Sequence, residues 1–510
     1  MSKSFRVSVV FAGLIAVVLG VSQVAFAGGM VTQSNDPAAN NSDTKSTSKT
    51  KSKKKKKKKK KAGVNSFVVI GTYAPQTSTS QPVSATTTLV SPDSEIVTTV
   101  QPAATTRRTV RSSRVPSIGI NPDIPEPTIT ATNGQLIISE FRVRGPNGAN
   151  DEFIEIFNAS GADHTVDALS GSGYGVAASD GTTRCSIPNG TVIPNKGHYL
   201  CVNSVGYSLA SYPAGNGTTA TGDATYTTDI PDNAGIALFN NNSGGASYSL
   251  ANRLDAVGST SEANTLYKEG TGYPALTPFS IDYSFYRDSC GKSGSITTFG
   301  ACPNPSTVKD TNNNAADFIF VDTNGTSAGA GQRLGAPGPE NLSSPIERNA
   351  SIGTALLDTC VAGASPPNRV RDFTSDPPNN STFGTLDIRR TFTNNTGGNV
   401  TRLRFRVIDL TTFPAPSGIA DLRPRTSTAV VVTVDRPPCG SGTSNVTVQG
   451  TTLEQPPSQP NGGGFNSSMS AGVVTLATPI ANGASIDVRF LLGIQQTGSF
   501  KFYVNMEVLP

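Results

Sequence analysis

Two histidines, His164 and His198, make up the whole imidazole complement of this 510-residue chain. Acid–base or nucleophilic chemistry near neutral pH would run through one of them or through a carboxylate pair tuned by its surroundings. His164 sits in the turn-like run Gly161-Ala-Asp-His164, and His198 opens the strand-like run His198-Tyr-Leu-Cys-Val202. No Gly-x-Ser-x-Gly elbow stands in a strand-to-helix context, and there is no His-Glu-x-x-His and no Walker loop. Glycoside hydrolysis needs two carboxyl groups across one cleft. Glu140, Glu152 and Glu155 are nominal candidates, and each is explained as readily by strand patterning. Asp310-x-Asn312-x-Asn314, with Asp317 beyond it, starts like a calcium loop but lacks the glycine at the sixth position and the glutamate at the twelfth. An Asx-turn loop is the simpler expectation. The residue types therefore predict no catalytic residue, no metal and no cofactor, and a protein that is not an enzyme.

The cysteines point to covalent bracing instead. Six of them, Cys185, Cys201, Cys290, Cys302, Cys360 and Cys439, form an even set in a chain that reads as exported, where disulfides are the default. No pair has the Cys-x-x-Cys spacing of a zinc ribbon. Pairing in sequence order joins the nearest neighbours, although the other connectivities stay open.

Export is read from the start of the chain. Lys3 and Arg6 precede an apolar run over 7–21, and Ala25-Phe26-Ala27 is a small-x-small cleavage site, so 1–27 reads as a signal peptide with Gly28 as the mature start. Retention as an uncleaved anchor is the rival reading. No later run is long and apolar enough to span a membrane, so the mature chain is expected to have no transmembrane segment. Residues 28–132 are rich in Ser, Thr, Pro and Lys, a composition that buries too little apolar surface to offset chain entropy, and a disordered linker is predicted there. Within it Lys53, Lys54, Lys55, Lys56, Lys57, Lys58, Lys59, Lys60 and Lys61 form an unbroken block. Residues 1–61 carry 14 Lys/Arg against Asp36 and Asp43, a balance of +12, so the chain total of +5 leaves −7 for the remainder. All the excess positive charge belongs to one segment. That block suits nonspecific contact with an anionic polymer, DNA or anionic lipid, whereas a platform for stacked bases is missing because no aromatic residue interleaves it.

The elements that would position any site are strands. Short apolar or alternating runs recur at 136–143, 153–157, 191–193, 199–202, 235–239 and 318–321, separated by Gly, Asn, Pro and Asp clusters. A second set follows at 384–392, 400–410, 429–434, 445–448, 473–476, 485–492 and 499–508. No window shows helical periodicity. The prediction is an all-β chain of two immunoglobulin-like β-sandwich domains, 133–342 and 350–510, after a disordered basic N-terminal segment. Pro339–Pro345 is the expected hinge. In 151–157 Glu155 is the exception on an otherwise apolar strand, and it is expected to meet a backbone N–H or an arginine such as Arg142 or Arg144.

Several of these runs, in order, resemble a bacterial lamin-tail domain. Leu136-Ile-Ile-Ser-Glu140 followed by Asp151-Glu-Phe-Ile-Glu-Ile-Phe-Asn158 is similar to that family's opening strands. Ile187-Pro-Asn-Gly-Thr-Val-Ile-Pro-Asn-Lys-Gly197, Gly235-Ile-Ala-Leu-Phe239, Arg253-Leu-Asp-Ala-Val-Gly258 and Leu334-Gly-Ala-Pro-Gly338 resemble its later segments. The family has Trp after Leu-Ser-Gly, where this chain has Ser172 and contains no Trp at all, and Tyr174 is the expected substitute. The resemblance covers 133–342 and implies an immunoglobulin-like sandwich, an accessory module, and no catalytic residues.

Together these readings predict a secreted or cell-envelope (extracellular, periplasmic or surface-attached) binding or structural protein, whose partner is a protein or polysaccharide surface. Two alternatives come from other classes. One is a hydrolase, or an accessory to one, with its site in 133–342. The other is a nonspecific DNA or polyanion binder acting through the lysine block.

Overall fold

The computed structural model describes residues 134–212, 219–275, 281–288, 308–324, 333–412, 419–454 and 460–509. The signal segment, the linker, the Lys53–Lys61 block, Cys290 and Cys302 lie outside the described residues.

In chain order the first half runs β1 (Leu136–Arg142), β2 (Phe153–Asn158), β3 (His164–Thr165), β4 (Gly173–Ala178), β5 (Thr183–Pro188), β6 (Val192–Ile193) and β7 (His198–Asn203). It continues with β8 (Ala224–Tyr226), β9 (Ile236–Phe239), β10 (Arg253–Val257), β11 (Tyr283–Arg287), β12 (Phe318–Asp322) and β13 (Arg333–Leu334). One sheet has the order β13-β12-β11-β1-β2-β7-β8, and a smaller one the order β10-β9-β4-β5. Leu136, Ile138, Ile154 and Ile156 from the larger sheet pack with Val176, Ile187, Ile236 and Leu238 from the smaller in one core. Cys185 on β5 and Cys201 on β7 are bonded through that core, so the disulfide joins sheet to sheet.

The second half holds β14 (Ile346–Glu347), β15 (Ile352–Leu356), β16 (Arg369–Asp372), β17 (Thr385–Asn394), β18 (Arg402–Leu410) and β19 (Asp421–Arg425). Then come β20 (Val430–Asp435), β21 (Thr443–Val448), β22 (Thr452–Glu454), β23 (Ser468–Ser470), β24 (Ser485–Gln496) and β25 (Phe502–Leu509). One sheet has the order β14-β25-β18-β23-β22 and the other β15-β17-β24-β19, with β16 beside β17. Alternation explains the core. Leu403, Phe405 and Val407 point inward on β18 and meet Phe490 of the facing sheet, with Phe405 and Phe490 edge to face at 4.9 Å. Cys360 and Cys439 are bonded beside the β20–β21 ribbon. The chain is thus all-β, in two sandwiches, and the only α-helix among the described residues is the single turn Asn314–Asp317.

One expectation is corrected. The segment 339–345 is not a loose hinge. Glu340, Asn341 and Ser344 are buried, and the backbone N–H groups of Gly338, Glu340 and Leu342 donate to Glu140, Glu155 and Asp223 of the first half. Asn341 donates to the carbonyls of Thr219 and Thr221 as well. The N–H groups of Asn341, Ser343 and Ser344 are satisfied within the segment, and carboxylates of the first sandwich take up those of Glu340 and Leu342.

Candidate functional site: a buried histidine–carboxylate–arginine seam

The outer face of the larger first-half sheet is built by a bulge. The β1–β2 register slips between Ile138 and Glu140, so Ser139 is the extra residue. Ile138 and Phe141 both reach the core, which strict alternation would forbid, and Glu140 is turned outward opposite Glu155. On β2, Ile154 and Ile156 face the core, leaving Phe153, Glu155 and Phe157 on the other side. On β7, Tyr199 and Cys201 face the core, leaving His198 outward. This outward face is nevertheless buried, because the second half lies against it.

The second half meets it with the outer side of β18. The sequence Arg402-Leu-Arg-Phe-Arg-Val407 alternates, so Arg404 and Arg406 lie opposite the side that carries Leu403, Phe405 and Val407. On the neighbouring strand Glu507 is likewise outward, opposite Arg404 in register. Glu507 accepts from Arg404 Nε at 2.7 Å and from Arg406 Nε at 3.0 Å. Glu340, arriving on the connecting segment, is paired with Arg404 and lies 3.0 Å from Arg406 Nη2. Arg406 also donates to the Gly338 carbonyl at 3.1 Å, and a Cβ at position 338 would collide with that guanidinium. A side chain there would have to push the guanidinium off the Gly338 carbonyl.

Against these cations stand His198 and its acids. His198 Nε2 lies 3.4 Å from Glu340 Oε2 and 3.7 Å from Glu155 Oε1, while its buried Nδ1 has no hydrogen-bond partner. Glu155 accepts from Ser139 Oγ at 2.5 Å and from the Glu340 N–H at 2.7 Å. Glu140 accepts from the Gly338 N–H and from Asn466 Nδ2, both at 2.9 Å. A cavity of about 70 Å³ opens among these groups.

Burial dominates the protonation of the cluster. It pushes His198 down to about 3, with Arg406 and Arg404 acting in the same direction, so the imidazole is neutral. Burial raises the Glu155 carboxyl well above the usual range, and neighbouring Glu140 adds to the shift. Glu140 itself is raised by burial. At Glu507 burial also acts upward, but Arg406 and Arg404 outweigh it and hold the carboxyl below its ordinary value. At the margins, burial raises Glu454 to about 7 and Glu347, beside Lys196, to about 8.

The sequence candidates are sorted by this arrangement. Glu140 and Glu155 are brought together, but under the second half rather than across an open cleft. Glu155 does meet a backbone N–H, whereas Arg142 pairs with Asp151 and Asp282, and Arg144 with Asp232. Glu152 is elsewhere, accepting from the Ile230 N–H at 2.7 Å and Asn203 Nδ2 at 2.9 Å, with burial raising it to about 8. His164 lies 3.2 Å from the Tyr174 hydroxyl in the first core and takes no part. Three of the four oxygen-bearing candidates of the calcium-like loop already accept hydrogen bonds. Asn314 Oδ1 accepts from the Gly258 and Glu269 N–H groups, Asp317 accepts from Thr311 and Asn313, and Asp310 accepts from the Asn312 N–H in an Asx turn. The nearby carboxylates Asp255, Asp310 and Asp317 surround the buried guanidinium of Arg287, which already supplies the cation.

Sequence reading missed Glu340, Arg404, Arg406 and Glu507. The available signal was Arg402-x-Arg404-x-Arg406 on a strand whose other side is wholly apolar, since three arginines in a row on one face need carboxylates if that face is covered.

No family model matches the chain, and no curated protein matches it. Among solved structures, a crystal structure of a DUF4876 family protein from Bacteroides thetaiotaomicron VPI-5482 is similar over 41% of this chain and 75% of that one, at 13% identity and a TM-score of 0.26. At that score the likeness carries no argument about fold or role, and the lamin-tail resemblance rests on the motifs within 136–338 alone.

Proposed function

We propose that this chain is an exported envelope or surface protein whose two sandwiches act as one rigid, non-catalytic binding or scaffolding body. The observation that carries the reading is the seam: the one histidine–carboxylate cluster among the described residues is closed in by both halves and faces its own arginines. Groups used that way lock two domains together and leave reactive atoms out of reach of a large substrate. Two core-crossing or ribbon-bracing disulfides favour an oxidising compartment. No helix among the described residues is long and apolar enough to cross a membrane. In this reading the first sandwich is a lamin-tail-like accessory module, and recognition falls to loops at the sandwich ends. Limited proteolysis of the mature protein, read with cell fractionation and N-terminal sequencing, tests it. The expected result is a chain starting at Gly28 outside the cytoplasm, trimmed to one resistant fragment spanning both sandwiches. Separate release of a fragment ending near 342 and another beginning near 346 would refute the rigid body.

The charge partition favours a second contact. With +12 confined to 1–61 and −7 on the rest, the Lys53–Lys61 block is proposed to touch an anionic polymer or lipid surface. Deleting 45–61 should weaken DNA binding and flatten its salt dependence, and unchanged affinity and slope would remove the block from the account.

A further inference from the structure

The cavity at the seam has more carboxyl groups on its walls than cations to pair with them. Five carboxyl groups face it: Glu140, Glu155, Glu340, Glu347 and Glu507. Lys196 pairs with Glu347, and Arg404 and Arg406 serve Glu340 and Glu507, leaving an excess of two acids over these three cations. Arg287, which also reaches the wall, is held by both oxygens of Asp255.

Donor geometry is the second observation. His198, Glu155 and Glu340 each offer one ligand atom, these atoms lie within 4.8 Å of one another, and all three residues are buried. The His198 side chain is only 10% exposed, and its separations of 3.4 and 3.7 Å from the two carboxylates exceed an ordinary N–H···O⁻ hydrogen bond. The first matches, and the second slightly exceeds, the edge of a coordination tetrahedron. A four-coordinate ion with bonds of about 2.0–2.1 Å holds its ligands roughly 3.3–3.4 Å apart.

We propose that a divalent cation of the zinc class binds between His198, Glu155 and Glu340, with water from the adjoining cavity as its fourth ligand. One imidazole with two carboxylates suits zinc rather than calcium or magnesium, which favour all-oxygen sites. Each carboxylate keeps a free lone pair for the ion. Ser139 and the Glu340 N–H orient Glu155, while Arg404 and Arg406 orient Glu340, the outer-shell support that metal-binding carboxylates require. The ion would hold Glu155 in its ionised form against the effect of burial and would fasten β2 and β7 to the segment joining the sandwiches.

The test uses the full mature chain, stripped with EDTA and returned to chelator-free buffer. Zinc uptake is measured by equilibrium dialysis, and the two imidazoles are followed by long-range ¹H–¹⁵N correlation of histidine-labelled protein. Expected are one ion per chain, a shift confined to one histidine, and the same shift in His164→Gln. His198→Gln and Glu155→Gln should each weaken binding by more than about 100-fold. If a buried variant fails to fold, the wild-type spectra still decide. No uptake at tenfold excess of zinc, uptake with both imidazoles unmoved, or a shift of His164 alone would overturn the assignment.

Discussion

Glu507→Gln is the sharpest perturbation of the seam. Glu507 stands between two buried guanidiniums, 2.7 Å from Arg404 Nε and 3.0 Å from Arg406 Nε, and it is nearly shielded from water itself. Glutamine keeps the shape but removes the charge, leaving Arg404 and Arg406 to share Glu340 and the more distant Glu454 at 3.6 Å. Breaking one partner out of a buried ionic group costs about 3–5 kcal/mol, because the remaining charge stays buried. The size of the melting shift then reports how much of the chain unfolds together. At roughly 2 cal/mol/K per residue, a body of about 370 residues has an unfolding entropy near 0.8 kcal/mol/K, so Tm should fall by about 4–6 °C. If the second sandwich melted alone, at about 165 residues, the fall would be roughly 9–14 °C. Calorimetry in EDTA, under oxidising conditions, separates the cases and keeps any bound metal out of the comparison. Glu340→Gln should give a similar loss. The double variant should lose less than the sum, since both acids serve the same arginines. A Tm within 1 °C of wild type for Glu507→Gln would show that the cluster is hydrated and not a closure.

Two further outcomes follow from the same structure. Replacing Cys185 and Cys201 by serine should cost about 3 kcal/mol, and replacing Cys360 and Cys439 about 4.5 kcal/mol, because the second pair closes a loop of 79 residues against 16; equal losses in denaturant titration would reject the loop-length reasoning. Stability should also fall as pH rises from about 5 to 8, since Glu152 is raised to about 8 when folded and returns to the ordinary carboxylate range when unfolded, so the native state holds that proton more tightly. Its contribution is full below the unfolded value and is lost through the folded one, and Glu152→Gln should flatten the slope of Tm against pH.

Much of the architecture was legible because alternation and turn residues are local signals. Val, Ile and Phe at every second position, punctuated by Gly, Asn and Pro, announce strands wherever they occur. The lone Glu155 in an apolar strand correctly marked something buried that needed a donor. The bulge at Ser139 was not legible, since one extra residue in a strand leaves no compositional trace yet reverses which side Glu140 faces. Nor could 339–345 be told from a hinge: proline and glycine mark both a flexible connector and a segment pressed between two sheets.

By itself, then, the sequence determined the all-β character, the two sets of strands, the cysteines available for bracing and the confinement of the net positive charge to the first 61 residues. Each of these depends on neighbours in the chain. Only the tertiary structure decided that His198, Glu155, Glu340, Arg404, Arg406 and Glu507 would meet. They are scattered over more than 350 positions, and what unites them is the burial of one sheet's outer face against another's. That contact removes water from a set of charges, and the loss of water is what makes their pairing obligatory.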